Sequence, residues 1–142
     1  MLLAVDIGNT SIKFGIFDGN TLLTKFSIPA LRDYSNDDIL AAVGPNLDLP
    51  IENALICSVV PEIDETAAIL VAEKSGVDAK FVRSDLDLGL KINYRPIADL
   101  GPDRLVNAFA GAGKYGTPCI VCSFGTATTV DIVSSNNELL GG

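Results

Sequence analysis

Leu2-Leu3-Ala4-Val5-Asp6-Ile7-Gly8-Asn9-Thr10-Ser11-Ile12-Lys13-Phe14-Gly15-Ile16-Phe17-Asp18-Gly19-Asn20 opens the chain. Leu2 to Val5 is an unbroken apolar run, as expected of a strand covered on both faces. It ends in Asp6-Ile7-Gly8-Asn9-Thr10. From Ser11 to Phe17 the pattern alternates, with Ile12, Phe14 and Ile16 on one side and Ser11, Lys13 and Gly15 on the other. Asp18-Gly19-Asn20 is a tight hairpin signal, and Thr21 to Ile28 reads as a third strand. The stretch therefore predicts a three-stranded antiparallel meander.

Further along, Ser35 or Asn36 caps a predicted helix through about Val43, ended by Gly44-Pro45. Ala54 to Val59 is a buried strand candidate. Pro61, with Glu62, Asp64 and Glu65 behind it, opens a helix that runs to Ser75 and stops at Gly76. Lys80 to Val82 is a short strand, and 85–96 an irregular stretch. Gly101-Pro102-Asp103 starts a helix through Tyr115, broken by Gly116-Thr117-Pro118. Cys119 to Phe124 then reads as another buried strand. A meander followed by alternating strands and helices gives a mixed sheet with helices against it.

The opening has a second copy. Gly8 falls on Gly125 at an offset of 117, so that Asp6 falls on Ser123. At the same offset Ile12, Phe14 and Ile16 fall on Thr129, Asp131 and Val133, and Asp18-Gly19-Asn20 falls on Ser135-Asn136-Asn137. A repeated meander implies a duplicated domain. The fold class expected is α/β: a ribonuclease-H-like mixed sheet with helices, the first domain of a duplicated actin-like ATPase fold. Residues 1–116 make that domain, including the connecting helix, and 117–142 begin a second, incomplete one.

Composition narrows the chemistry. The 142 residues are 48% apolar, enough for a packed core, and no run approaches a membrane span. No basic segment precedes the apolar opening, so it does not read as a signal peptide and a cytoplasmic location is expected. A formal charge of −8 without basic blocks argues against nucleic acid and anionic membranes as partners. With no histidine, Ser-His-Asp and Cys-His catalysis are excluded within the chain, and acid/base work falls to carboxylates. Cys119 and Cys122 have metal-like spacing, but on a strand they point to opposite faces and no second Cys/His pair accompanies them; buried free thiols are expected.

Two constellations carry chemistry. At the first turn, Gly8 lets backbone approach a ligand, turn amides with Asn9, Thr10 and Ser11 can wrap phosphate oxygens, and Lys13 supplies charge. Asp6 would repel phosphate and suits a Mg²⁺ ion or its water. An ordinary hairpin with an Asp-capped start is the plainer account; the second copy, Phe124-Gly125-Thr126-Ala127-Thr128-Thr129, weighs against it. At the second, Asp103 and Arg104 stand at a helix start, where Pro and Asp simply suit the dipole. Alternatively Asp103 is a base for a substrate hydroxyl and Arg104 an anchor for a carboxylate. Gly111-Ala112-Gly113-Lys114-Tyr115 imitates a P-loop but has Ala108 and Tyr115 at the required Gly and Ser/Thr positions and follows a helix; it is read as a glycine-rich helix end.

Together these residues resemble the type III pantothenate kinases: Asp6-Ile7-Gly8-Asn9-Thr10, Ser58-Val59-Val60-Pro61, Tyr94-x-Pro96, Gly101-Pro102-Asp103-Arg104 and Phe124-Gly125-Thr126-Ala127-Thr128-Thr129, in order and spacing over essentially the whole chain. The closing Leu140-Gly141-Gly142 looks like the start of the family's next glycine-rich motif, and family chains continue well beyond it. The resemblance implies phosphorylation of pantothenate by ATP, the first step of coenzyme A synthesis. It implies that Asp6, Ile7, Gly8, Asn9, Thr10, Ser11, Ile12 and Lys13, with Thr126, bind ATP. It implies that Tyr94, Gly101, Pro102, Asp103 and Arg104 bind pantothenate, with Asp103 as proton acceptor. It further implies Mg²⁺, a monovalent cation (K⁺ or NH₄⁺) and a homodimer. One departure stands out: Ser123 occupies the place of a family Asp that contributes to the monovalent-cation site, which puts that dependence in doubt.

Two other readings compete. A non-catalytic, regulatory or binding relative is favoured by Ser123 and opposed by the intact Asp6, Asp103 and Arg104; another ATPase-fold kinase, for sugar or acetate, is opposed by Tyr94 and Gly101 to Arg104. The 142 residues alone are expected to be inactive, because the second phosphate loop lacks its supporting elements.

Overall fold

A computed structural model describes the chain apart from residues 32–34, 36, 38–40, 42, 45, 46, 48 and 85. It forms two compact units, Met1–Val82 and Arg83–Gly142. In the first, β1 (Leu2–Ile7), β2 (Ser11–Asp18) and β3 (Thr21–Pro29) make the expected antiparallel meander, and β4 (Asn53–Ser58) and β5 (Lys80–Phe81) extend it in parallel. The order β3-β2-β1-β4-β5 is that of a ribonuclease-H-like sheet. α1 (Pro61–Ser75) covers one face. Its limits follow from its sequence. Pro61 takes the first helical position, where no amide partner is needed. Gly76 closes the helix in the left-handed conformation, φ 69°, its N–H donating to the Ala72 carbonyl. The predicted helix over 36–43 falls largely outside the described residues.

The alternating residues behave as read. Ile12, Phe14 and Ile16 are buried with Leu3, Val5 and Ile7 against Ile63, Ala67, Leu70 and Val71 of α1. Phe14 also stacks on Phe26 across the β2–β3 ladder, ring centroids 4.8 Å apart. The opposite face of β1 is only half-buried, so the strand is not covered equally on both sides.

The second unit has a four-stranded sheet of order β6-β9-β8-β7: β6 (Lys91–Ile92), β7 (Cys119–Phe124), β8 (Thr128–Val133) and β9 (Glu138–Gly141). β7, β8 and β9 repeat the meander, and β6 adds a parallel edge beside β9. β6 lies inside the stretch 85–96 that the sequence reads as irregular. α2 (Pro102–Tyr115) packs on β7 and β8. Gly111 permits the close approach: a Cβ there would lie 2.6 Å from Val121 Cγ2. The P-loop imitation is the C-terminal end of α2.

Three expectations are corrected. β7 is not a buried strand. α2 covers one of its faces, while on the other Ile120 is 66% and Phe124 82% exposed. Cys122 is exposed and Cys57 and Cys119 half-buried, so no cysteine is in a disulfide and none is fully buried. The repeat also slips. In the first hairpin Ile7 pairs with Ile12 and Gly8 N–H donates to the Ser11 carbonyl. In the second, Phe124 pairs with Thr128 and Gly125 N–H donates to the Ala127 carbonyl, a turn one residue shorter. Because side chains alternate, that one residue exchanges faces. The structural counterparts of Ile12, Phe14 and Ile16 are Thr128, Val130 and Ile132, and Asp131 lies on the opposite face, towards α2. Among the described residues no helix is long and apolar enough to cross a membrane.

Candidate functional site

In the first unit the β1–β2 ladder sets Asp6 directly opposite Lys13, and Lys13 Nζ donates to Asp6 Oδ2 at 2.8 Å. Both side chains are well exposed, so the pair is easily exchanged for other partners. Between them the turn is held by the Gly8 N–H to Ser11 carbonyl bond, 3.0 Å, and by Ala30 N–H donating to the Thr10 carbonyl, 3.0 Å. Asn9 is exposed and has no hydrogen-bond partner among the described residues. Ile7 and Ile12 point into the core, which leaves only their backbone for a ligand.

Mg²⁺ fits here in a limited way. No cluster of three or more metal-ligating His, Cys, Asp or Glu occurs among the described residues. Mg²⁺, however, commonly takes one or two carboxylates and completes its shell with water and phosphate oxygens, and exposed Asp6 offers one. The monovalent-cation position fits less well. Ser123 lies opposite Thr129 on β8, two neutral hydroxyls. Asp131 lies on the same face of that hairpin, two positions along, and its carboxylate is committed elsewhere.

That commitment is the centre of the second unit's site. Tyr94 follows β6, fixed by Asn93 N–H donating to the Leu139 carbonyl. Gly101 precedes α2 in an extended conformation and Pro102 begins the helix. Asp103 and Arg104 thus leave the first turn of α2. Arg104 Nε donates to Asp131 Oδ1 and Oδ2 at 3.1 and 3.2 Å, and Nη2 to Oδ1 at 2.6 Å. Nη1 donates to the Tyr94 hydroxyl at 3.3 Å, and the guanidinium stands 5.0 Å from the Tyr94 ring centroid. Nη2 also reaches the Gly142 carbonyl, 3.2 Å. The adjoining Asp131 carboxylate makes the Arg104 proton harder to remove than usual, against the opposing effect of burial. Asp103 is half-buried and has no hydrogen-bond or ion-pair partner among the described residues. Tyr94 lies against Gly141, φ 93°, where a Cβ would come 2.2 Å from Tyr94 Cδ2.

The structure thus joins Asp6 with Lys13, and Tyr94 with Arg104. Thr126 lies exposed in the β7–β8 turn. The sequence reading gave no site role to Asp131 or Gly141, which the structure sets against Arg104 and Tyr94. The signal for Asp131 was present, a lone carboxylate between Val130 and Ile132 on a strand.

A sequence model of type III pantothenate kinases matches residues 2–142. The chain belongs to that family. It is 37% identical to a type III pantothenate kinase of Solibacter usitatus, over 100% of this chain and 57% of that protein. The corresponding proteins of Koribacter versatilis and Moorella thermoacetica are 34% and 35% identical, again over 100% of this chain and 58% of theirs. The chain therefore spans less than two thirds of the length of these relatives. A solved Ppx/GppA family member from Aquifex aeolicus superposes with a TM-score of 0.48 at 13% identity, over 94% of this chain and 47% of that one.

Proposed function

We propose that the protein transfers the γ-phosphoryl group of ATP to the hydroxyl of pantothenate, the entry step of coenzyme A synthesis. The observation that carries this reading is the family match over residues 2–142; the chain has Asp6, Lys13, Tyr94, Asp103 and Arg104 to serve it. Residues Asp6 to Lys13 and Thr126 bind ATP; Tyr94 and Gly101 to Arg104 bind pantothenate. Asp103 accepts the hydroxyl proton as the oxygen attacks the γ-phosphorus and the bond to ADP breaks. A carboxylate in a first helical turn, without a partner among the described residues, is available for that task. Lys13 exchanges Asp6 for phosphate oxygens, a change that costs little at an exposed ion pair. Mg²⁺, when bound, neutralises phosphate charge from the Asp6 carboxylate. Ser123 and Thr129 are neutral hydroxyls and give a monovalent cation no anionic ligand.

The functional division places a first ribonuclease-H-like domain over 1–116 and the start of a second from 117. The protein acts as a cytoplasmic homodimer without nucleic-acid or membrane partners. Ser123 supports a second reading, a regulatory relative that binds without catalysing. ADP release under Mg-ATP and potassium, with and without pantothenate, separates the two. Pantothenate-dependent ADP establishes the kinase. A folded protein that binds ATP and shows no such dependence is the regulatory relative.

A further inference from the structure

The substrate-side arginine is already spoken for. A guanidinium offers five N–H donors in a rigid fork, and besides its Nη1/Nη2 end it can meet a carboxylate in bidentate fashion along its Nε/Nη2 edge. On Arg104 that edge is taken by Asp131, a carboxylate only 1% exposed on the face of β8 that meets α2. What remains is Nη1, and one of its two protons goes to the Tyr94 hydroxyl oxygen. Tyr94, accepting there, keeps its own proton to donate, and accepting polarises it for donation. The arrangement ends in two donors side by side, Nη1–H and Tyr94 O–H, set by a pair whose net charge is zero.

We propose that Asp131 is a positioning residue: it fixes the Arg104 guanidinium so that Nη1 and the Tyr94 hydroxyl present two aimed donors to the carboxylate of the substrate. The inference rests on the pantothenate reading given above. It assigns recognition to direction rather than to charge, and the two accounts predict opposite signs. If Arg104 acted as a bare charge, removing the Asp131 charge would strengthen anion binding. If Asp131 aims Arg104, removing it weakens binding, because the fork is then free to rotate.

The experiment uses Asp131→Asn in the active protein, with two readouts. The first is the Arg104 Nε–Hε resonance of ¹⁵N-labelled protein, assigned by its loss in Arg104→Lys. It exchanges slowly with water in the parent and becomes fast in Asp131→Asn. The second is steady-state kinetics: the KM for pantothenate rises tenfold or more while the KM for ATP stays within twofold. Arg104→Lys keeps the charge pair but cannot span Asp131 and Tyr94 together, so it folds and shows the same selective rise. This holds the test open if Asp131→Asn does not fold. An unchanged or lowered pantothenate KM in either variant overturns the proposal, as does an equal rise in both KM values. A parent with no pantothenate-dependent turnover refutes the kinase reading instead, and the resonance still reports whether Asp131 holds Arg104.

Discussion

Arg104, in the first turn of α2, reaches 27 positions along the chain to Asp131 in the middle of β8 and grips it through Nε and Nη2, the shorter contact 2.6 Å. Both are largely withdrawn from water, Asp131 at 1% and the Arg104 side chain at 15% exposure. Their attraction must offset the loss of two hydration shells. Removing one partner is therefore the damaging change, since it strands the other charge. Asp131→Ala is expected to destabilise the fold by about 3–5 kcal/mol, and Asp131→Leu with Arg104→Met to recover most of it. Urea unfolding of the two variants checks this. A double variant no more stable than Asp131→Ala would show that the pair is needed for the fold in its own right.

Asp103 leaves the same helical turn but has no partner among the described residues, so it holds nothing together. Asp103→Asn is expected to leave the melting temperature within a degree or two and ATP binding intact. Turnover should fall by about a hundredfold or more, the usual worth of a positioned base. Calorimetric titration with ATP beside a turnover assay makes the comparison. Undiminished turnover removes Asp103 from the base role.

The contrast between these neighbours shows where the sequence is legible. The limits of α1 could be read from Pro61 and Gly76 because capping is local. Ile12, Phe14 and Ile16 could be assigned to the core because a period of two needs no partner to be recognised. β6 could not be read. It is two residues long, and what makes it a strand is β9, more than forty residues on. The second hairpin was half legible. Its existence followed from the repeat, but its register turned on one residue lost from the turn, which the offset of 117 does not reveal. With Asp131 laid over Phe14, a buried charge appeared as a core position. Only the pairing of Val121 with Asp131 puts it opposite α2, within reach of Arg104.

Lys13 and Asp6 form an ion pair within the first unit, and its exposure gives it the opposite character. Lys13→Ala is expected to change unfolding free energy by less than about 1 kcal/mol. It should raise the KM for ATP about tenfold or more, since a positive charge beside the proposed phosphate loop is gone. Denaturant unfolding and initial rates, taken together, decide the matter. A large stability loss with unchanged KM would make the pair structural.

Gly141 supports Tyr94 by having no side chain. Its φ of 93° disfavours any other residue, and a Cβ would overlap the Tyr94 ring. Gly141→Ala is expected to cost about 1–3 kcal/mol in strain. It should also raise the KM for pantothenate, because Tyr94 is pushed off Arg104. Thermal melts with steady-state kinetics test both parts. A variant that is destabilised but keeps its KM would separate Gly141 from the site.

The exposed side of β7 and β8 makes the last prediction. Ile120, Phe124, Val130 and Ile132 are the register counterparts of residues that in the first unit are buried under α1. They form a contiguous apolar surface of the kind that drives association in water. The 142-residue chain is expected to self-associate at tens of micromolar and above. Ile120→Thr with Phe124→Ser should shift it to monomer while moving its unfolding free energy by about 0.5 kcal/mol or less, since neither side chain is buried. Sedimentation velocity and urea unfolding on the same samples give both numbers. If the double variant remains associated, the contact lies on another surface. If it becomes monomeric but loses several kcal/mol, the face is packed inside the fold, contrary to its exposure.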